Sequence, residues 1–342
     1  MKITNIVTIG GGSGAPVVIK ALIQAGFSNI KAICTAMDTG GRSGLVRTDE
    51  RDRVISVGDL LRNLMALVPE SNHLTNIQAF RQMIDFTDGR RRNLGYSIYY
   101  ALLEKFQNNF IQVQDLLEQL LNIKFSGIAI PITLEPTQVH IQTRSGQQYI
   151  GEHQLDYFSM SKDMVTKIWI DPPVTSTPEA ISAIKQADYI IYCPGSLYGS
   201  IIANFLPQGV AQALVQSSAT KIFITNLVSN RNEDHHFKPI DYWQLFKKYT
   251  HLDHPFEIII VPNITQAQFQ LQHLQVAKSY AHEHSFFLGW DTEQLKLIQQ
   301  KGVKTISSHI FFLSPEYQRL RHDPHALANI FKQIIKNQSN RD

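Results

Sequence analysis

ITNIVTIGGGSGAPVVIKAL, residues 3–22, decides the fold. Ile3 to Ile9 is a short apolar run that alternates into a glycine cluster. Pro16 to Ala25 then has helical spacing, with Pro16 near a first-turn position. Ile30 to Ala36 is a second apolar run, and it too ends in glycines, Gly40 to Gly44. Strand, glycine turn, helix, strand is the sequence form of a βαβ unit. Gly10 to Ala15 satisfies G-x-G-x-x-G/A between that strand and helix, where glycine permits positive φ and the helix start presents free N–H groups to a phosphate.

Outward from this unit, Asp59 to about Asn122 is mostly helical, with Leu60, Leu64 and Leu67 on one face. Between Gly127 and about Ile170 the period changes to two: Val139, Ile141 and Thr143 alternate, and Ser145-Gly146 marks a turn. After Pro178 short apolar runs return at Tyr189–Cys193, Ile222–Thr225 and Ile258–Val261, separated by helical segments. A last helix is expected from Asp323-Pro324 to about Lys336. The expected fold is α/β, a Rossmann-like, doubly wound, mostly parallel sheet. It forms one large domain over 1–342, with 127–170 as a small antiparallel β-rich insertion. Ligands of such folds bind at the strand ends.

Composition narrows the function. Lys and Arg number 32 against 29 Asp and Glu, a formal charge of +3, which gives no basic footprint for nucleic acid. No apolar run is long enough for a membrane span, and the first strand runs into glycines instead of a cleavage site, so a cytoplasmic location is expected. Two cysteines, Cys34 and Cys193, make neither a disulfide framework nor a zinc site; both read as buried small residues.

Three further polar loops follow predicted strands or open helices. Asp38-Thr39-Gly40-Gly41-Arg42-Ser43-Gly44 is a flexible glycine loop with a carboxylate, two hydroxyls and a guanidinium, suited to an anionic ligand with a divalent metal on Asp38. A nicotinamide-dependent dehydrogenase, with Asp38 on a ribose hydroxyl, is the weaker reading because one glycine fingerprint suffices for it. Neither glycine cluster is followed by the Lys-Ser/Thr of a P-loop. Gly58-Asp59-Leu60-Leu61-Arg62-Asn63 opens a helix, and Asp59 reads equally as its N-cap or as a ligand carboxylate. Pro194-Gly195-Ser196-Leu197-Tyr198-Gly199-Ser200 follows a buried strand, with Ser196 as N-cap or anion ligand.

Together these residues resemble the CofD-like superfamily. It contains the 2-phospho-L-lactate transferases of deazaflavin coenzyme synthesis and the bacterial gluconeogenesis-factor (YvcK) proteins. The resemblance runs from Ile3 to Val261. Its pieces are GGGSGAPVVIKAL from Gly10, DTGGRSGLVR from Asp38, GDLLRNLMAL from Gly58, PGSLYGSIIANFLPQGVAQAL from Pro194 and Phe223 to Leu227. PGSLY places the chain nearer the gluconeogenesis-factor branch. The resemblance implies a cytoplasmic UDP-sugar-binding protein connected with carbon metabolism and cell shape. As alternative it implies a magnesium-dependent transferase of a phospholactyl-like group from a nucleotide diphosphate donor. Gly11, Gly12, Ser13 and Gly14 would hold phosphate, with Thr39, Gly40, Gly41, Arg42 and Ser43 beside them. Asp38 and Asp59 would lie near metal or ribose and are the catalytic candidates. Arg62, Asn63, Gly195, Ser196, Leu197, Tyr198 and Asn226 would complete the wall. Mg2+ is the one cofactor implied; no flavin or nicotinamide is expected.

The chain departs from the family pattern at three places. Thr39 stands where a second acid is usual. An extra leucine turns Arg62 and Asn63 about 100° around their helix. Arg92-Asn93-Leu94-Gly95-Tyr96 replaces His-Ser-Phe-Gly-Asn. The pairs His235-His236 and His282/His284 lack ligand spacing and read as solvated, as does Arg90-Arg91-Arg92. Glu233 lies near the Asn226 strand end, within reach of a ligand. Runs such as Ile201-Ile202 and Phe205-Leu206 fit core or subunit interface alike, which leaves a homo-oligomer open. Residues beyond about 266 carry no motif.

Overall fold

The computed structural model describes residues 4–49, 53–69, 75–156, 163–315 and 318–336. Seven strands form one parallel sheet: β1 (Ile6–Ile9), β2 (Ile30–Cys34), β3 (Gly127–Pro131), β7 (Tyr189–Tyr192), β8 (Thr220–Ile224), β9 (Ile258–Pro262) and β10 (Lys304–Ser308). The strands between β3 and β7 are β4 (Gln138–Thr143), β5 (Gln148–Ile150) and β6 (Val165–Asp171), which make a separate antiparallel sheet in the order β5-β4-β6. β11 (Phe311–Ser314) and β12 (Arg319–His322) form a hairpin.

The main sheet has the order β10-β9-β8-β7-β1-β2-β3. From β1 the chain winds outward through β2 to β3, then returns to β7 and winds the other way. The reversal therefore falls between β1 and β7, which pair directly through Ile6–Tyr189 to Ile9–Tyr192. Strands covered on both faces read as unbroken apolar runs, and β1, β7 and β9 are buried at every residue. β4 buries only alternate residues, as a sheet with one covered face must. The helices that position the site are α1 (Gly14–Gln24), α2 (Gly41–Asp49), α3 (Gly58–Ala66), α4 (Thr75–Asp85) and α5 (Leu94–Lys105). α1 packs between α3 and the last helix, Pro324–Lys336. Among the described residues no helix is long and apolar enough to cross a membrane.

Two expectations are corrected. The antiparallel insertion is narrower than 127–170, because Gly127–Pro131 pairs in parallel with β2 as the edge of the main sheet. GIAIP is too short for its period to separate a sheet edge from the alternating strands after it. The supposed flexible loop Gly40–Gly44 is helical from Gly41 onward. Gly44 tucks beneath the Thr39 carbonyl, where a Cβ would come within 2.1 Å of the oxygen.

Candidate functional site

The turns that leave β1 and β7 meet across the reversal, and glycine is what lets them. A Cβ on Gly14 would lie 2.0 Å from the Pro194 carbonyl oxygen, and one on Gly10 2.7 Å from Cys193 Cβ. Gly12 has φ +61° and nothing within 4 Å of its missing Cβ; it turns the chain and leaves open space above. In front of these turns lies a cavity of about 800 Å³, bordered by Gly12, Ser13, Asp38, Arg62, Gly195 and Ser196 among others. That volume suits a nucleotide-sized ligand.

Asp59 ties the first turn to α3. It does not cap its own helix: Val57 holds the N-cap position, and the Asp59 carboxylate crosses to accept the Gly12 N–H at 3.0 Å. Its Oδ1 also accepts from Arg62 one helical turn on. Burial pushes the Asp59 carboxyl up to about 6; the Arg62 cation opposes this, the charge of Asp38 adds to it, and the Gly12 N–H opposes it. Asp38 accepts the Gly40 N–H at 2.7 Å through Oδ1 and borders the same cavity.

The second turn is held from behind. The Asn226 side chain clasps the Gly195 peptide, accepting its N–H and donating to its carbonyl, both at 2.8 Å. Ser196 does cap the turn that follows: its Oγ accepts the Gly199 N–H at 2.9 Å and donates to Glu233 Oε2 at 2.9 Å. Glu233 also accepts from the Tyr198 N–H and from Asn230 Nδ2. It is buried beneath the loop and shapes it from below.

Burial raises the Glu233 carboxyl from 4.5 to about 8 despite the three donors it faces. A carboxyl raised by folding ionises more easily in the unfolded chain, so its stabilising influence is full at low pH and lost as pH climbs through the folded value. Asp59 acts likewise between 3.8 and about 6. Burial holds the His322 imidazole down at about 4, which opposes this decline up to pH 6.5 and is level above it, so the melting temperature should fall most clearly from pH 6.5 to pH 8.5. Calorimetry of Glu233→Gln should show the decline flattened above pH 6.5; an unchanged slope there would assign it to other groups.

The cavity gathers Gly12, Ser13, Asp38, Gly40, Gly41, Ser43, Asp59, Arg62, Gly195 and Ser196 from the expected set. Gly11 and Gly14 stand behind, Gly11 because a Cβ there would meet Asp59 Oδ2 at 1.9 Å. Five other expected residues do not reach it. Asn63 is fully buried, about 100° around α3 from Arg62. Leu197 and Tyr198 point into the core, and Thr39 turns away to His153. Asn226 acts through Gly195 and borders two smaller adjoining cavities instead. The Arg42 side chain lies outside the described residues. Cys34 and Cys193 are buried, with thiols pushed up.

Sequence reasoning missed Glu152 and Asp156. They enter on a short 3-10 turn after β5, anchored where Thr39 Oγ1 meets His153 Nδ1 at 2.8 Å and accepts the His153 N–H. Burial, then the charges of Asp38, Glu233, Asp156 and Asp59, pushes the Glu152 carboxyl well above its ordinary range. Tyr96 and Asn93 were also missed as lining residues, although their segment stood out as a departure. Asn93 caps α5 by accepting the Tyr96 N–H, which brings the Tyr96 ring under Gly58. Among the described residues no three His, Cys, Asp or Glu side chains converge as a metal's ligands would.

The profile of the family described as "2-phospho-L-lactate transferase CofD" matches residues 6–311. The chain is 27% identical to the gluconeogenesis factor of Listeria monocytogenes over 337 residues, 98% of this chain and 97% of that one. It is 25% identical to the gluconeogenesis factor of Bacillus subtilis over 334 residues, 97% and 98% of the two chains. A crystal structure of a UPF0052-family protein from Bacillus halodurans superposes with a TM-score of 0.79 at 24% identity, covering 96% of this chain and 99% of that one, and so shares the fold.

Proposed function

The chain belongs to the 2-phospho-L-lactate transferase CofD family, and from that premise we propose that it binds a nucleotide diphosphate-linked sugar, a UDP-sugar, as a regulator of carbon metabolism. The observation that carries this reading is the pair of glycine turns bordering one cavity at the sheet reversal. There Ser13 stands exposed at the start of α1, where partial positive charge favours phosphate, and Lys20, Arg62 and Arg81 add cationic side chains. The relatives named gluconeogenesis factors support the regulatory half of the proposal.

Magnesium fits this donor set only as an ion carried by the ligand. It binds through one or two carboxylates plus substrate phosphates. Asp38 is the candidate partner, because Asp59 already meets Gly12 and Arg62. Bound there, the ion would neutralise charge on a diphosphate. The family match itself favours a second reading, a transferase using a nucleotide diphosphate donor, with Asp38 and Asp59 at that charge.

Gly12→Asp tests the site. A Cβ there would meet no atom within 4 Å, so the cost to the fold should be confined to about 1 kcal/mol for a side chain at φ +61°, while the carboxylate brings charge and bulk to the phosphate position. A UDP-sugar at a hundred times its dissociation constant should stabilise the parent protein by about 2.7 kcal/mol, a few degrees in Tm, and the variant not at all. Unchanged affinity in folded Gly12→Asp would sink the assignment. A shift appearing only with magnesium and guanine nucleotides would favour the transferase.

A further inference from the structure

A further cavity, of about 620 Å³, shares no lining residue with the crevice and lies where β6 meets the helix Pro239–Thr250 and the segment Phe205–Ala211. Its floor is apolar: Ile168 and Phe205 are buried, and Leu206, Pro207, Ala211 and the Tyr249 ring complete it. The charged and titratable groups lining it are Lys167, Lys248, His251 and Tyr249, and among the described residues no Asp or Glu lines it. The neighbouring carboxylate, Asp253, is engaged by Lys247 at 2.8 Å.

The walls are fixed in place. Among the described residues β6 pairs only with β4, and its outer edge faces the helix. Two side chains satisfy that edge: the Tyr249 hydroxyl accepts the Ile168 N–H at 2.9 Å, and Lys248 Nζ donates to the Thr166 carbonyl at 2.6 Å. The Lys248 ammonium also lies 5.2 Å from the Tyr249 ring centroid. It is held at the mouth by a neutral carbonyl and a ring face, which orient it and leave its charge uncancelled.

We infer that this cavity is a binding site for a small amphiphilic monoanion, a carboxylate with an aliphatic or aromatic body. The body would lie on the Phe205–Tyr249 floor and the carboxylate against Lys248. The C-terminal end of the helix Pro239–Thr250 borders the cavity, and its partial negative charge weakens the pull of Lys248 on any anion, so a single carboxylate is the most negative charge the site would hold. The site is separate from the proposed nucleotide crevice and does not depend on that reading.

The test is methyl NMR of the full chain, observing Ile168 and Ala211 during titration with hexanoate, hexylamine and inorganic phosphate. Hexanoate should shift both signals saturably, while hexylamine and phosphate leave them in place. Lys248→Met, which keeps the stem and removes the charge, should weaken hexanoate at least tenfold while lowering Tm by no more than about 2 °C for the lost Thr166 bond. Gly12→Asp should leave the titration unchanged, which separates this site from the crevice. Equal shifts with hexylamine, shifts with phosphate alone, or full hexanoate affinity in folded Lys248→Met would each overturn the inference.

Discussion

Gly14→Val should cost about 3 kcal/mol or more, because its Cβ would stand 2.0 Å from the Pro194 carbonyl oxygen and 2.7 Å from its carbon. Both obstacles are backbone, so no rotamer change relieves them; the turns after β1 and β7 must separate. With an unfolding entropy of roughly 2.1 cal/mol/K per residue, the melting temperature should fall by about 4 °C or more. Nucleotide affinity should fall with it, since the crevice is built from the approach of these two turns. Gly12→Ala, two residues away, is the control. Its Cβ meets nothing within 4 Å, and only its φ of +61° opposes a side chain, at about 1 kcal/mol. Equal melting temperatures for the two variants would mean that the turns do not close on one another as described.

That contrast also marks what a sequence can carry. The run from Ile6 to Ala15 exposes its role because a strand buried on both faces must be apolar throughout, and a turn that two backbones share must be glycine. β7 and its Pro194-Gly195-Ser196 turn are legible for the same reasons. Glu152 is not: it reaches the cavity on a turn whose anchor joins residues 114 apart, Thr39 and His153. No local period or spacing encodes that meeting. Asp59 is half legible. Its place at a helix start suggested a cap, but only the fold shows its carboxylate spent on the Gly12 N–H. Beyond residue 266 the strands lie at edges. Lys304–Ser308 and the 311–322 hairpin mix polar with apolar residues and leave no buried-strand signature.

The position of Asp59 sets the pH dependence of binding. Its carboxylate occupies the Gly12 amide that a phosphate would use, and an incoming diphosphate meets a like charge there. Protonation removes that charge, and the group titrates at about 6 because burial holds it up. The bound anion favours the protonated acid, so binding takes up a proton above pH 6. By linkage, the dissociation constant should then rise by up to about tenfold per pH unit between pH 6 and 8, and level off below pH 5.5. Asp59→Asn should erase this slope and bind more tightly than the parent at pH 8, because the amide keeps the shape of the acid without its charge. Magnesium should flatten the parent's slope if it travels with the diphosphate, since the cation offsets the same repulsion. Isothermal titration of a UDP-sugar across this range, in buffers of different ionisation enthalpy, counts the proton directly. A flat profile in the parent would place the diphosphate away from the Gly12 amide, and a slope that persists in Asp59→Asn would assign the proton to another raised carboxyl of the cavity, Glu152, instead of Asp59.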